Sequence, residues 1–159
     1  MISLIENLEE YAKNDPDKAI LFDDFSKNGI TYGQLDVMSG KIYSYLKSEG
    51  IGKEDIVMIC LPRGVMPVIA MVGIWKAGAA FTVVEDNYAP DRIEYIRKDC
   101  ECKIVLDKDN WEKIQCSEML TGHEYVDDHD AAYAIYTSGT TGNPKGVLHE
   151  YGNIGQGIS

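Results

Sequence analysis

Residues 136–146, which read YTSGTTGNPKG, concentrate hydroxyl groups, glycines and one lysine in a single short stretch. Hydroxyls and an ammonium group donate hydrogen bonds, and glycine lets backbone N–H groups approach a ligand closely. Successive amides in such a loop can form a concave anion site, or nest. The stretch therefore predicts a phosphate-binding loop, and the apolar run 131–136 that leads into it predicts a buried strand.

The spacing of this stretch argues against three other sites. A P-loop places lysine directly after glycine and before serine or threonine, whereas Lys145 follows Pro144 and precedes Gly146. The stretch also lacks the GxGxxG pattern of dinucleotide-binding folds. Ser138 does not fit a nucleophile elbow, because GxSxG requires glycine where this chain has Tyr136. A solvated turn without a ligand is the alternative that composition alone leaves open.

The order of these residues resembles the signature of the adenylate-forming (AMP-binding) enzyme superfamily, YTSG[ST]TGxPKG. That superfamily contains acyl-CoA synthetases, luciferases and the adenylation domains of non-ribosomal peptide synthetases. Residues 30–35 resemble its first structural motif, and residues 75–81 with 91–93 resemble its second, in a form that favours a peptide-synthetase adenylation domain. The resemblance implies that the following loop residues contact the ATP phosphates: Thr137, Ser138, Gly139, Thr140, Thr141, Gly142 and Lys145.

The resemblance also implies an activity, that of an adenylate-forming ligase. Such an enzyme uses ATP and Mg²⁺ to convert a carboxylic acid into an acyl-adenylate with release of pyrophosphate, and a thiol then takes the acyl group. In the adenylation-domain reading the acid is an amino acid and the thiol is the phosphopantetheine of a carrier protein. One alternative is an acyl-CoA or aryl-CoA synthetase, with coenzyme A as acceptor. The other is a non-catalytic scaffold or phosphate-binding module.

By the same resemblance, residues 1–159 correspond to the N-terminal part of an adenylation domain that ends just after the phosphate loop. The catalytic lysine, the substrate pocket and most contacts to adenine and Mg²⁺ would then lie elsewhere, so we expect no catalytic and no metal-binding residue here. We expect these 159 residues alone to be inactive. Surface exposed by truncation could pair two copies in a dimer.

Two positions depart from the family pattern. Residues 81–86 read FTVVED, without the two prolines that usually follow the second motif. Histidine stands at position 149, as in acetate-type synthetases, and Tyr151 occupies the position where peptide-synthetase domains commonly carry it. We expect His149 to be structural, because a single histidine on a strand is seldom catalytic.

Composition narrows the partners further. A net charge of −11 and a pI near 4.6 argue against nucleic acid as a ligand. We expect a cytoplasmic protein without membrane association, because no run of 18 apolar residues exists. The four cysteines, Cys60, Cys100, Cys102 and Cys116, predict reduced and inert thiols, and the acidic segment 123–130 predicts a connector rather than a metal site.

The apolar periodicities predict an α/β fold with a mostly parallel sheet flanked by helices. A helix over residues 2–14 precedes a small β-hairpin at 18–24 and 30–32, and Thr31 with Gln34 predicts a capping box for the next helix. Ligands of such sheets bind at the carboxyl ends of the strands, which is where the loop falls. The elements that follow are strand 55–61, helix 65–77, strand 80–84, helix 91–99, strand 103–106, helix 111–120 with Trp111 as packing, and strand 131–136.

Overall fold

The computed structural model describes residues 4–24, 27–138 and 142–154. Strands and helices alternate from Ile56 to Thr137, as the sequence predicts. In chain order the elements are α1 (Leu4–Asn14), β1 (Ala19–Leu21), β2 (Ile30–Thr31), α2 (Tyr32–Ser48), β3 (Ile56–Cys60), α3 (Val65–Lys76), β4 (Ala80–Val83), α4 (Pro90–Asp99), β5 (Ile104–Asp107), α5 (Lys108–Gln115), β6 (Ala131–Thr137), β7 (Lys145–Glu150) and a 3₁₀ turn (Tyr151–Asn153).

The main sheet has five strands in the order β5-β3-β4-β6-β7. Strands β3 to β6 are mutually parallel, and β7 pairs antiparallel with β6 at one edge. The predicted fold class, a mostly parallel sheet flanked by helices, is therefore confirmed. Strands β1 and β2 form the separate antiparallel hairpin that the sequence predicts.

The crossover connections place helices on both faces of this sheet. The chain moves from β3 to β4 in one direction through α3, and returns past β3 to β5 through α4. Because crossovers between parallel strands are right-handed, opposite directions of travel put α3 and α4 on opposite faces. The packing agrees: Val57 and Ile59 share a cluster with α3, whereas Met58 shares one with Ile96 of α4.

Helices α2 and α3 pack closely because of one glycine. A Cβ added at Gly73 would lie 2.6 Å from Cβ of Ile42 and 2.9 Å from the carbonyl oxygen of Ser39. Beside this contact, the ammonium group of Lys76 is 1% exposed and lies 2.5 Å from the carboxylate of Asp36. This ion pair joins α3 to α2, with the ammonium group buried and the carboxylate 33% exposed.

Local signals account for most element ends. Thr31 and Gln34 form the predicted capping box at the start of α2, with Gln34 N–H donating to Thr31 Oγ1 at 3.1 Å. The predicted helix at 111–120 is misplaced: α5 begins at Lys108, because the side chain of Asp107 caps its N-terminus, and ends at Gln115. Its last carbonyls are satisfied by Cys116 and Ser117, and Leu120 N–H donates instead to Gly40 O at 3.1 Å.

Candidate functional site

The predicted phosphate loop is the connection between β6 and β7. Strand β6 runs to Thr137, and β7 begins at Lys145. The register pairs Thr137 with Lys145 and Tyr136 with Gly146, so the two arms of the hairpin meet at the base of the loop. Because β6 is parallel to β3, β4 and β5, the loop stands at the carboxyl ends of the strands, where ligands of such sheets bind.

The hairpin brings together those predicted site residues that the structure describes. Thr137, Ser138, Gly142 and Lys145 are all exposed. Thr137 and Lys145 are cross-strand partners, and partners across a ladder project on the same face of a sheet. Gly142 has φ of +102°, a conformation that L side chains rarely adopt. The other predicted contacts, Gly139, Thr140 and Thr141, lie outside the described residues.

The base of the hairpin depends on Tyr136 and Gly146. Tyr136 donates a hydrogen bond from its hydroxyl to Oδ2 of Asp99 at 2.6 Å, which ties β6 to the end of α4. A Cβ at Gly146 would approach Cζ of this tyrosine to 2.7 Å. Burial, followed by the bond to Asp99, raises the pKa of Tyr136. The last glycine of the loop sequence thus has a packing reason that the sequence does not show.

Charged residues follow the ends of the neighbouring strands. Arg63, after β3, lies 2.5 Å from the carboxylate of Glu85, which follows β4. Lys108, at the start of α5, lies 3.5 Å from the carboxylate of Asp86. No role at the site was predicted for these residues from the sequence, although their position directly after predicted strands could have suggested one.

The lysine at the end of the predicted phosphate loop, unlike Arg63 and Lys108, has no carboxylate partner among the described residues. Within residues 4–24, 27–138 and 142–154, Lys145 takes part in no ion pair. An exposed, unpaired ammonium group next to hydroxyl donors is suited to an anion that arrives from solvent.

His149, in β7, packs against a residue of the neighbouring strand β6. Its ring stacks on Tyr133 with centroids 4.6 Å apart and planes 11° apart. Two neighbouring side chains secure the same corner: Trp75 Nε1 donates to Ala132 O, and Tyr151 Oη donates to Ala79 O, both at 2.9 Å. Trp111, predicted as packing, is 5% exposed in the core.

The described residues contain neither a metal-binding cluster nor a helix that could span a membrane. No group of three or more histidine, cysteine, aspartate or glutamate side chains there could hold a metal ion. In the predicted connector 123–130, His123 instead contacts Glu9, and His129 contacts Glu150. In the same part of the chain, no helix has the length and apolar character that crossing a membrane requires.

One apolar row borders the loop. Val83, Ile135 and Val147 lie on adjacent strands and are 42%, 48% and 53% exposed. The register pairs Ile135 with Val147, and continues from Thr82–Ala134 to bring Val83 beside Ile135. On the far side of Val83 the row continues through Ile59 in β3 to Leu106 in β5, and both of these side chains are fully buried.

The structure is that of an α/β protein in which the predicted phosphate loop joins β6 to β7 at the carboxyl edge of the sheet. Residues 8–159 match the family described as AMP-binding enzyme, and the chain belongs to that family. It is 30% identical to tyrocidine synthase 3 of Brevibacillus parabrevis over 92% of this chain and 2% of that protein. It is 32% identical to syringomycin synthase SyrB1 of Pseudomonas syringae over 95% of this chain and 27% of that protein.

A solved structure shows the same fold. The N-terminal subdomain of NpsA from Klebsiella oxytoca, in complex with 3-hydroxyanthranilyl-AMSN, superposes with a TM-score of 0.82 at 23% identity. The match covers 95% of this chain and 41% of that one. The chain therefore spans less than half the length of these relatives, and the resemblance inferred from the loop signature is confirmed.

Proposed function

We propose that this chain supplies the phosphate-binding part of an ATP-dependent ligase that activates an amino acid as its acyl-adenylate. The aminoacyl group would then pass to the thiol of a carrier protein. The observation that carries the proposal is the β6–β7 hairpin, which presents Thr137 and Lys145 as partners at the carboxyl edge of a parallel sheet. Membership of the AMP-binding enzyme family and similarity to two synthases support it.

The proposed role of the loop is charge neutralisation. ATP would supply the α-phosphorus that the carboxylate attacks, so negative charge grows on the leaving pyrophosphate. Lys145, the hydroxyls of Thr137 and Ser138, and backbone N–H groups around Gly142 would donate hydrogen bonds to that charge. Lys145 is the cation best suited to bind phosphate, because Arg63 and Lys108 are already paired with Glu85 and Asp86.

The residues proposed to contact phosphate are Thr137, Ser138, Gly139, Thr140, Thr141, Gly142 and Lys145, and residues 1–159 are proposed to form the N-terminal part of an adenylation domain. The described residues offer no three-ligand site for Mg²⁺. We therefore propose this ion only as the companion of the ATP phosphates. Use of ATP fits the cytoplasmic location expected from the sequence.

ATP–pyrophosphate exchange tests the proposal. It is measured on this chain and on a longer protein that contains it, with amino acids in one panel and fatty, aryl and short-chain acids in another. Exchange that depends on an amino acid is the expected result for the longer protein. Exchange only with other acids would replace the amino acid reading with the coenzyme A ligase reading, and no exchange with any acid would leave a non-catalytic module.

A charge-matched pair of variants isolates the loop. In the longer protein, Lys145→Ala is expected to lower the rate of ATP–pyrophosphate exchange by about 10²-fold or more. That is the usual loss when one hydrogen-bond donor to a developing charge is removed. Lys113→Ala removes the same charge from the exposed side of α5 and is expected to leave exchange unchanged. Equal rates for the two variants would remove Lys145 from the proposed mechanism.

Pairing of two copies through the apolar row is a separate proposal. Val83, Ile135 and Val147 would form its centre. Sedimentation at rising concentration is expected to show a dimer that Ile135→Glu dissociates. A monomer at every concentration would refute it.

A further inference from the structure

One tyrosine spans the two arms of the phosphate loop at their base. Tyr136 and Gly146 are cross-strand partners, and they are the first and last residues of the loop sequence. The ring of Tyr136 lies over Gly146, where an added Cβ would come within 2.7 Å of Cζ and 3.0 Å of Oη. A ring that covers a glycine of the neighbouring strand supports the pairing of the two strands. The arms of the loop are thus held together by a side chain as well as by the ladder.

This tyrosine lies on the face of the sheet opposite to the predicted phosphate contacts. Thr137 and its partner Lys145 project together on one face. Successive residues of a strand project on opposite faces, so Tyr136 points away from its neighbour Thr137. It packs instead with Met58 and Ile96 on the side of α4. Any effect of Tyr136 on a phosphate ligand must therefore pass through the backbone of the two arms.

A hydrogen bond fixes the outer end of the tyrosine ring. Tyr136 Oη donates to Oδ2 of Asp99 at 2.6 Å, across 37 positions of the chain. Asp99 is the last residue of α4. Burial and this bond both raise the pKa of Tyr136, so the hydroxyl keeps its proton and remains a donor at neutral pH.

Asp99 stands where a helix does not favour a carboxylate. The carboxyl end of a helix carries partial negative charge, and basic residues are preferred there. The two preceding residues, Arg97 and Lys98, follow this preference, and both are paired with Glu94. In the part of the chain that the structure describes, Asp99 takes part in no ion pair. The hydrogen bond from Tyr136 is the interaction that accounts for an aspartate at this position.

We propose that Asp99 is a positioning residue for the phosphate loop, and that it acts through Tyr136. The inference rests on the proposed function, in which Thr137 and Lys145 donate hydrogen bonds to the phosphates of ATP. With its hydroxyl held by Asp99, the ring stays over Gly146 and keeps the two arms at a spacing that one anion can bridge. Without that bond the ring can turn away, and the donors must be ordered again each time ATP binds. The free energy spent on such ordering weakens binding.

Hydrogen exchange in this chain tests the positioning role without ATP. Asp99→Ala and Tyr136→Phe remove the same bond from its two ends, and the second variant keeps a ring over Gly146. Both are expected to speed exchange of the ladder amides next to the loop about fivefold, the factor that corresponds to one ordinary hydrogen bond. Trp75 and Tyr151 tie the opposite end of the hairpin, so its amides are expected to keep their rates. Equal acceleration throughout the chain would show a loss of stability alone and would refute a local role.

Two further variants show whether the effect belongs to this bond. Asp99→Ala combined with Tyr136→Phe is expected to act no more strongly than either change alone, because both remove the same interaction. Asp99→Asn keeps an oxygen that can accept from Tyr136 and is expected to restore most of the parent behaviour. Asp91→Ala removes an exposed carboxylate from the other end of α4 and is the matched control. Additive effects in the double variant, or an Asp99→Asn variant that behaves like Asp99→Ala, would contradict the assignment.

ATP–pyrophosphate exchange in the longer protein tests the consequence for the ligand. Asp99→Ala and Tyr136→Phe are expected to raise the KM for ATP about fivefold and to leave kcat within about twofold of the parent. The KM of the acid and both constants of Asp91→Ala are expected to stay unchanged. The reason is that saturating ATP orders the loop in every variant, whereas a merely structural loss lowers the amount of active protein and hence kcat. A KM for ATP equal to that of the parent would overturn the positioning role.

The two experiments separate this inference from the function on which it rests. Exchange in the parent protein, with no change in the KM for ATP in the variants, would remove the role of Asp99 and leave the ligase proposal standing. No exchange in the parent with any acid would remove the ligase proposal and, with it, the role of Asp99 in ATP binding. Hydrogen exchange would then still decide whether Asp99 orders the loop.

Discussion

Strands β4 and β7 belong to the same sheet, with only β6 between them, and yet their environments are opposite. The first three residues of β4 are buried, whereas five of the six residues of β7 are exposed. Helix α3 covers β4, and Phe81 of that strand packs against Trp75 and Tyr133. No described helix covers β7 in the same way.

The contrast between β4 and β7 indicates that the buried strands stabilise the fold and that the exposed hairpin is available to bind a ligand. Burying apolar side chains stabilises the fold by roughly 25 cal/mol for each Å² removed from water, so β3, β4 and the helices supply most of the stability. An exposed hairpin contributes little of this kind, but its donors remain open to a ligand. The sheet therefore holds the hairpin in place, and the hairpin carries the proposed chemistry.

The largest expected effect comes from two isoleucines in the same apolar row. Ile59→Ala in β3 removes a fully buried side chain and is expected to lower the free energy of unfolding by about 2–5 kcal/mol. Ile135→Ala in β6, where the side chain is 48% exposed, is the matched change and is expected to cost less than about 1 kcal/mol. Urea unfolding of both variants checks the difference, and similar losses would contradict the proposed division.

A second test breaks the ion pair between α2 and α3. Asp36→Ala leaves the ammonium group of Lys76 buried without its carboxylate, and is expected to cost about 3 kcal/mol. Asp36→Ala combined with Lys76→Met removes the buried charge and is expected to recover most of that loss. Thermal unfolding of the single and double variants measures the recovery, and a double variant no more stable than the single one would contradict it.

The third test concerns the base of the hairpin. Gly146→Ala forces its Cβ against the ring of Tyr136 and is expected to cost about 1–2 kcal/mol or displace the ring. Gly52→Ala is the matched control, because a Cβ there meets nothing within 4 Å. Chemical denaturation of the two variants, with the tyrosine ring resonances followed by NMR, separates the effects. An unchanged ring environment in Gly146→Ala would show that the close approach is absent.

The smallest expected effect is a pH dependence at the end of β7. The hydrogen bond and the negative charge of Glu150 raise the pKa of His129 above its usual value near 6.5. Its contribution to stability is therefore complete below the unfolded pKa and is lost as the pH rises through the folded pKa. An NMR titration is expected to show the raised pKa in the parent chain and a return toward 6.5 in Glu150→Gln. Identical titration curves would exclude the pair in solution.

Local sequence signals predicted much of the fold because their causes are local. The capping box of Thr31 and Gln34, the continuous apolar run of β3 and the closing Gly78, with φ of +73°, each act within a few residues. The start of α5 was missed although Asp107 and Asn110 form a second capping box three residues apart. The periodic apolar residues of that helix begin only at Trp111, one turn later.

Features that depend on distant contacts could not be predicted in the same way. The loop sequence indicated phosphate binding, but not that Lys145 opens a strand opposite Thr137. The sequence around Gly146 does not predict that Asp99 accepts a hydrogen bond from Tyr136, the residue on which this glycine packs. The turn after α4 depends on Glu101 adopting a left-handed conformation, which a non-glycine residue seldom does.

The strand order also bears on how the chain assembles during synthesis. Strands β3, β4 and β5, with the helices that cover them, all precede residue 116, so they can associate before β6 leaves the ribosome. Until then β4 presents an unpaired edge, a template on which other extended chains could add. The arrival of β6 caps that edge and β7 follows by a local hairpin. The proposed phosphate loop thus follows directly after the strand that protects the edge of β4 from wrong pairing.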